Sequence, residues 1–303
     1  MNIITQKDKL LLLMISKYGI LLNDQIALLN NSGKRIVQRK ISRLYNNSLL
    51  NLSLRNNSSN HGRPENIISI SEKGVKLLQN ENLIDSKIPF ERFITDKIYN
   101  IEHELLINWF RIHLQNIQVK ISNLKTEFIS STTPFIPLNK NGQPLITENL
   151  LIENSSVTLI PDGVFYIKSE KQNKSLLFFL EVDMGTESLQ NKGFKSNSIA
   201  SKILNYKFYF QSEKNLRYQK RWNTIFNGFR LLIITNTTKR KVSISNFINS
   251  DISNDFVWVA NQSEMFEKGL GGRIWSRGGK LSIPQESILG PTINFEERIF
   301  QPK

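Results

Sequence analysis

Residues 175–188 read SLLFFLEVDMGTES, an apolar run that ends in two carboxylates, Glu181 and Asp183, two positions apart. Such a run has the composition of a strand buried on both faces. Upstream, residues 157–168 (VTLIPDGVFYIK) read as a second strand, and the polar turn SEKQNK predicts a tight hairpin centred between Lys171 and Gln172. In that register Asp162 stands directly opposite Glu181. Side chains alternate along a strand, so Asp162, Glu181 and Asp183 project from one face. Opposed carboxylates repel unless a cation lies among them, and a divalent metal would remove the penalty. The bland alternative is also open: strand ends at a sheet edge carry solvated carboxylates, and Pro-Asp-Gly is a common turn.

Around this hairpin the pattern is α, β, β, β, α, β. DKIYNIEHELLINWFRIHLQ is a long helix with Ile98, Ile101, Leu105, Trp109 and Ile112 on one side, and VKISNL (119–124) is a strand. Residues 129–156 look like a polar insertion before the two strands just described. A helix within 188–211 contains SIASKILNYKFYF, and FRLLIITN is the next strand. The order predicts a mixed sheet with helices on it. GLGGRIWSRGG near the end has too many glycines to place and lacks the spacing of a phosphate-binding loop.

The first 80 residues carry 12 Lys and Arg against 4 Asp and Glu. QKDKLLLLMISKYG is an amphipathic helix ending near Gly19, NDQIALLN a short second helix, and SGKRIVQRKISRLYNNSLL a third with Val37, Ile41 and Leu44 as its apolar stripe. The opposite face holds Arg35, Gln38, Arg39 and Ser42, flanked by Lys34, Lys40 and Arg43. Two short strands follow around a loop with His61, Gly62, Arg63 and Pro64, and SEKGVKLL closes the unit. Helix, helix, basic helix, hairpin is the order of a winged helix, whose third helix enters the major groove of double-stranded DNA while the hairpin touches the neighbouring backbone. The DNA-binding set expected is Lys34, Arg35, Gln38, Arg39, Ser42, Arg43 and Arg63. A winged helix used for protein contacts, with these cations as a solvated face, is the alternative.

The whole chain of 303 residues has 40 Lys and Arg against 26 Asp and Glu, a formal charge of +14, which favours a polyanionic partner. No apolar run reaches the ~20 residues that span a bilayer, and the N-terminus lacks a signal-peptide pattern; no membrane partner is expected and the cytoplasm is the expected location. With no Cys and three scattered His, any metal would be held by oxygen ligands, which suits Mg²⁺ or Mn²⁺. A second basic block, residues 192–241, sets 12 Lys and Arg against Glu213 alone. Its Lys192, Lys195, Lys202, Lys207, Lys214, Arg217, Lys220 and Arg221 would let a phosphate backbone approach the acidic strand end. Many of the interleaved aromatics must be helix core.

IPDGVFYI, FFLEVDMGTES and SKILNYKFYF, behind an N-terminal winged helix, resemble the replication-relaxation family of bacterial and plasmid proteins, whose second domain is similar to the PD-(D/E)xK nuclease fold. The likeness runs from about residue 7 to 260. It implies an α/β (α+β) chain with a winged-helix DNA-binding domain at 1–82 and a mixed-sheet nuclease-like domain at 96–303. In nucleases of that fold the Asp of the PD element and the acid of (D/E)xK hold the metal, which assigns those roles to Asp162 and Glu181. The sequence departs from the pattern where Asp183 replaces the expected Lys. An Asp there cannot stabilise transition-state charge, although it can add a metal ligand, and Lys202 on the following helix is the candidate to supply the missing ammonium. Glu102 is a candidate third carboxylate or a solvated charge, and His103 a structural hydrogen-bonding residue. Two functions follow: a metal-dependent nuclease-like protein acting on DNA phosphodiesters, or a non-catalytic replication or mobilisation factor with a degenerate nuclease fold. Partners beyond DNA would be a second copy of the chain or other mobile-element proteins.

Binding to duplex DNA should weaken steeply with salt, because Lys and Arg release condensed counterions from the phosphates. Replacing Arg35 and Arg39 with Ala should weaken it further. Unchanged affinity of that double variant in a gel-shift titration would remove the assignment of the third helix.

Overall fold

The computed structural model describes residues 3–55, 65–93, 98, 100–130, 135, 146–152, 155–190, 198–250, 254–293 and 295–299. The chain forms two compact units, Met1–Ile112 with Thr132–Pro137, and His113–Ser131 with Leu138–Lys303.

The first unit contains α1 (Gln6–Tyr18), β1 (Ile20–Leu22), α2 (Asn23–Leu29), α3 (Lys34–Asn46), β2 (Leu50–Leu54), β3 (Asn66–Ile70) and α4 (Glu72–Asn80). This is the order expected of a winged helix. Thr5 caps α1 and Asp8 returns the bond to the Thr5 backbone, a capping box that fixes where the helix starts. On α3 the expected stripe Val37, Ile41 and Leu44 is buried, each residue contributing roughly 1.5–3 kcal/mol of apolar burial. The short β1 is new relative to the sequence reading. It pairs antiparallel with β3, giving a three-stranded sheet in the order β1-β3-β2. The long helix α5 (Ile101–Lys120) crosses the division between the units. Its first turns belong to the first unit: Leu105 packs with Ile20, Leu22 and Ile67, and the buried Asn108 amide donates to the carbonyls of Tyr18 and Ile20 at 3.1 and 2.8 Å. Glu104 to Phe110 are all buried, so α5 does not carry the single apolar side that its spacing suggested.

In the second unit, β4 (Leu124–Ile129), β7 (Gly163–Ser169), β8 (Lys174–Asp183), β9 (Phe229–Thr235), β10 (Val257–Asn261) and β11 (Ser276–Arg277) form a sheet in the order β11-β10-β9-β8-β7-β4. Between them run α6 (Ile199–Gln211), α7 (Arg217–Trp222), α8 (Thr238–Asn249) and α9 (Gln262–Lys268), and a separate hairpin pairs β5 (Glu148–Ile152) with β6 (Ser155–Leu159). Strands β8, β9 and β10 are parallel, while β4, β7 and β8 form an antiparallel meander. The chain is therefore α+β with a mixed sheet, as expected.

Three boundaries differ from the sequence reading. Helix α5 runs on to Lys120, so the strand placed at 119–124 begins only at Leu124. The strand placed at 157–168 is two strands in different sheets. Pro161 has no N–H to donate, so a ladder cannot continue through it. The expected insertion holds β5 and the start of β6, and its residues 131–134, 136–145, 153 and 154 lie outside the described residues. The glycine-rich stretch folds back as β11 against β10.

The glycine of Pro-Asp-Gly has a packing reason. A Cβ on Gly163 would come within 2.3 Å of the Phe128 ring, which lies across it from β4. Gly163→Ala should therefore destabilise the protein by about 1–3 kcal/mol in urea unfolding, and adding Phe128→Leu should recover part of the loss. Further along α5, His113 is buried with neither ring nitrogen bonded among the described residues, and it meets Phe266 edge to face. Burial lowers its pKa to about 3 from an ordinary 6.5. A depressed histidine pKa means that the unfolded chain takes up the proton first, so stability falls as pH drops below 6.5. Between pH 7 and 5 His113→Leu should remove about 2 kcal/mol of that loss, read from paired urea curves.

Candidate functional site

The first candidate is the outer face of α3. With Val37, Ile41 and Leu44 turned to the core, Arg35, Gln38, Arg39 and Ser42 are exposed and line a shallow depression together with Arg43 and Asn46. Among the described residues neither Arg35 nor Arg39 makes an ion pair. The flanking cations are engaged within the fold. Lys34 lies 2.8 Å from Asp24 and 3.9 Å from Glu65, and Arg43 bonds the buried Asp8. Burial would raise the Asp8 carboxyl, but bonds from Thr5 and the Arg43 guanidinium hold it below its ordinary value. Lys34 and Arg43 therefore anchor α3 on α2 and α1. Arg63, with His61, Gly62 and Pro64, lies outside the described residues. Glu102 bonds the Arg55 guanidinium in this first unit, and the His103 backbone N–H donates to Asn100 Oδ1 at 3.1 Å in the first turn of α5.

The second candidate is the acidic end of β8. The β7–β8 register pairs Gly163 with Leu180, and one step further sets Asp162 opposite Glu181, as the hairpin spacing required. Asp162 Oδ2 accepts the Val182 N–H at 2.7 Å, which continues the strand pairing by a side chain past Pro161. Glu181 is buried. Its Oε1 accepts from the Tyr206 hydroxyl at 2.6 Å and its Oε2 from Lys202 Nζ at 2.9 Å. Lys202 and Tyr206 stand four residues apart on α6, so one helical face supplies both donors. Burial raises the Glu181 carboxyl and the charge of Asp162 adds to the effect, while Lys202 opposes them. Burial would also lower the Lys202 ammonium, but Glu181, Glu187 and Asp162 hold it above its ordinary range.

Asp183 takes another course. It is buried and bonds Arg240 in the first turn of α8, and it accepts the Gly185 N–H at 3.1 Å. Arg240 also donates to the Glu187 carbonyl at 2.6 Å, while the Glu187 carboxylate lies 2.8 Å from Lys202 Nζ. The structure thus brings Asp162, Glu181 and Lys202 together, turns Asp183 towards Arg240, and adds Glu187, Tyr206 and Arg240. Sequence signals for these three are slight: Glu187 is one acid in a polar loop, Tyr206 one of several aromatics, and Arg240 lies 57 residues from its partner.

A divalent ion does not fit this donor set as arranged. Mg²⁺ and Mn²⁺ demand several oxygens at close range in near-octahedral geometry. Here both Glu181 oxygens and the Asp183 carboxylate already accept from the chain's own donors. Among the described residues no group of three or more His, Cys, Asp or Glu is placed to hold a metal ion.

The second basic block is divided in the same manner. Lys192 and Lys195 lie outside the described residues. Arg217 pairs with Glu148 at 2.6 Å and Lys214 donates to the Asn149 carbonyl at 2.9 Å, whereas Lys220 and Arg221 are exposed. Tyr206, Tyr209 and Tyr218 are buried around Phe179, with ring centroids 5.6, 5.6 and 5.8 Å away. They are core, as expected for many of the aromatics interleaved with this basic block.

Among the described residues no helix is long and apolar enough to cross a membrane. A solved structure of a MarR family transcriptional regulator from Silicibacter pomeroyi is 20% identical over 38% of this chain and 72% of that chain, with a TM-score of 0.23. No curated protein matches the chain. The family model for replication-relaxation proteins matches residues 12–225, a span that includes α3, the Asp162–Glu181 pair and Lys202. The chain belongs to the replication-relaxation family.

Proposed function

We propose that this is a DNA-binding replication protein of plasmid or mobile-element type, which holds double-stranded DNA through α3 and whose second unit acts there without cutting. The observation that carries the reading is the sorting of side chains on α3. Its apolar stripe is buried, Lys34 and Arg43 are tied to neighbouring helices, and Arg35, Gln38, Arg39 and Ser42 are left on the outer face. Arginine suits the O6 and N7 edge of guanine and glutamine the N6 and N7 edge of adenine. The family description supports a role in replication.

A second reading is metal-dependent hydrolysis of DNA phosphodiesters, with Mg²⁺ or Mn²⁺ held by Asp162, Glu181 and Asp183. The convergence of Asp162, Glu181 and Lys202 favours it. The engagement of Asp183 by Arg240 and of both Glu181 oxygens weighs against it. Incubated with supercoiled and linear DNA in Mg²⁺ or Mn²⁺, the protein should retard both on a gel and leave the supercoiled form intact. Nicking or linearisation that Asp162→Ala abolishes would put the second reading in its place.

A further inference from the structure

We propose that the acidic end of β8 carries its own cation: the Lys202 ammonium fills, between Glu181 and Glu187 and beside Asp162, the role that a divalent ion would have there. The inference deepens the non-cutting reading above and rests on it.

One nitrogen bridges two segments. Lys202 Nζ lies 2.9 Å from Glu181 Oε2, at the end of β8, and 2.8 Å from Glu187 Oε1, in the loop that follows. An ammonium has three donors and no acceptor, and two of those donors have carboxylate partners here. The remaining oxygen of Glu181 is occupied by the Tyr206 hydroxyl one turn further along α6, at 2.6 Å. Arg240 does the corresponding work for Asp183 and holds the Glu187 backbone carbonyl at 2.6 Å. Glu187 is thus fixed twice, by Lys202 at its carboxylate and by Arg240 at its main chain. A dication brought to Glu181 would meet a like charge already seated in the same space, and would have to displace both it and the tyrosine. With the ammonium in place, the carboxylates are bridged at hydrogen-bond length and need no oxygen cage.

The test follows thermal unfolding of the wild-type protein, Lys202→Met and Lys202→Met/Glu181→Gln, in EDTA and in millimolar MnCl₂, with bound Mn²⁺ counted by electron paramagnetic resonance. The wild-type midpoint should be the same in both buffers, with no Mn²⁺ taken up. Lys202→Met should lower the midpoint by roughly 5 °C or more, because the buried Glu181 carboxylate loses its counter-charge, and the double variant should recover a large part of that loss. Mn²⁺ bound by the wild-type protein and lost in Glu181→Gln would overturn the assignment, as would a Lys202→Met protein as stable as wild type. Should Lys202→Met fail to fold, Lys202→Arg carries the test: a folded protein that takes up no Mn²⁺ supports the assignment, and one that binds Mn²⁺ at this centre overturns it. DNA cleavage by the wild-type protein in Mn²⁺ would remove the non-cutting reading itself, whereas Mn²⁺ bound without cleavage would remove only the counter-ion assignment.

Discussion

Glu181 is a carboxylate at the buried end of a strand, and much of the second unit is arranged around opposing its charge. A buried carboxylate without a partner would force its own protonation or cost several kcal/mol. Lys202 and Tyr206 meet it from one face of α6, which fixes the rotation of that helix on the sheet. That rotation turns Ile203, Tyr206, Tyr209 and Phe210 inward, and the three rings pack on Phe179, two residues before Glu181 on the same face of β8. The polar and apolar demands of α6 thus agree. The same constraint recurs two residues further along β8, where Asp183 meets Arg240 at the start of α8. The helices of two successive parallel crossovers are thus each tied by an ion pair to the end of β8.

What could be read from the sequence follows from how local each signal is. The β7–β8 register is fixed by a short turn, so the opposition of Asp162 and Glu181 was legible from residue spacing alone. Helix α3 was legible because its apolar stripe has one period and one core to face. Strand β1 was not: Ile20–Leu22 is three apolar residues, too short to show alternation, and only its pairing with β3 makes it a strand. The Arg240–Asp183 pair was not legible either. It depends on β9 lying parallel beside β8, so that the helix after β9 starts where β8 ends. The Pro161 break was visible as a proline but not as a change of sheet, because nothing nearby announces that β6 pairs with β5.

Asp162 shows how one residue can satisfy two readings of its motif. As part of a turn it would be solvated; as part of a metal site it would be held ready for a cation. In the fold it accepts the Val182 N–H, so that its side chain holds β8 just beyond the last paired residues of β7. The bond sets the carboxylate beside Glu181 whatever else occupies the centre, and the close approach of Phe128 to Gly163 keeps the following residue small. Proline, aspartate and glycine therefore each have a structural reason here that is independent of any chemistry. Presence of the motif cannot by itself argue for a metal, and the partners of its carboxylates have to decide.

The same rule sorts the positive charge. A count of +14 treats every cation as available to a polyanion, yet Lys34, Arg43, Lys202, Arg217 and Arg240 each lie against a carboxylate of the chain's own. Lys241, almost wholly buried, is paired with Glu264 and donates to the Ile274 carbonyl. A cation whose field is already matched at hydrogen-bond distance releases few counterions when a phosphate approaches, since its neighbour must first be screened. On the proposed reading, attraction to DNA would be carried by those that remain on the surface, Arg35 and Arg39 on α3 foremost. The basic composition thus divides in two, cations that anchor acids within each unit and a smaller set of exposed guanidinium and ammonium groups, and on the proposed reading only the second set would contribute fully to the salt dependence of DNA binding.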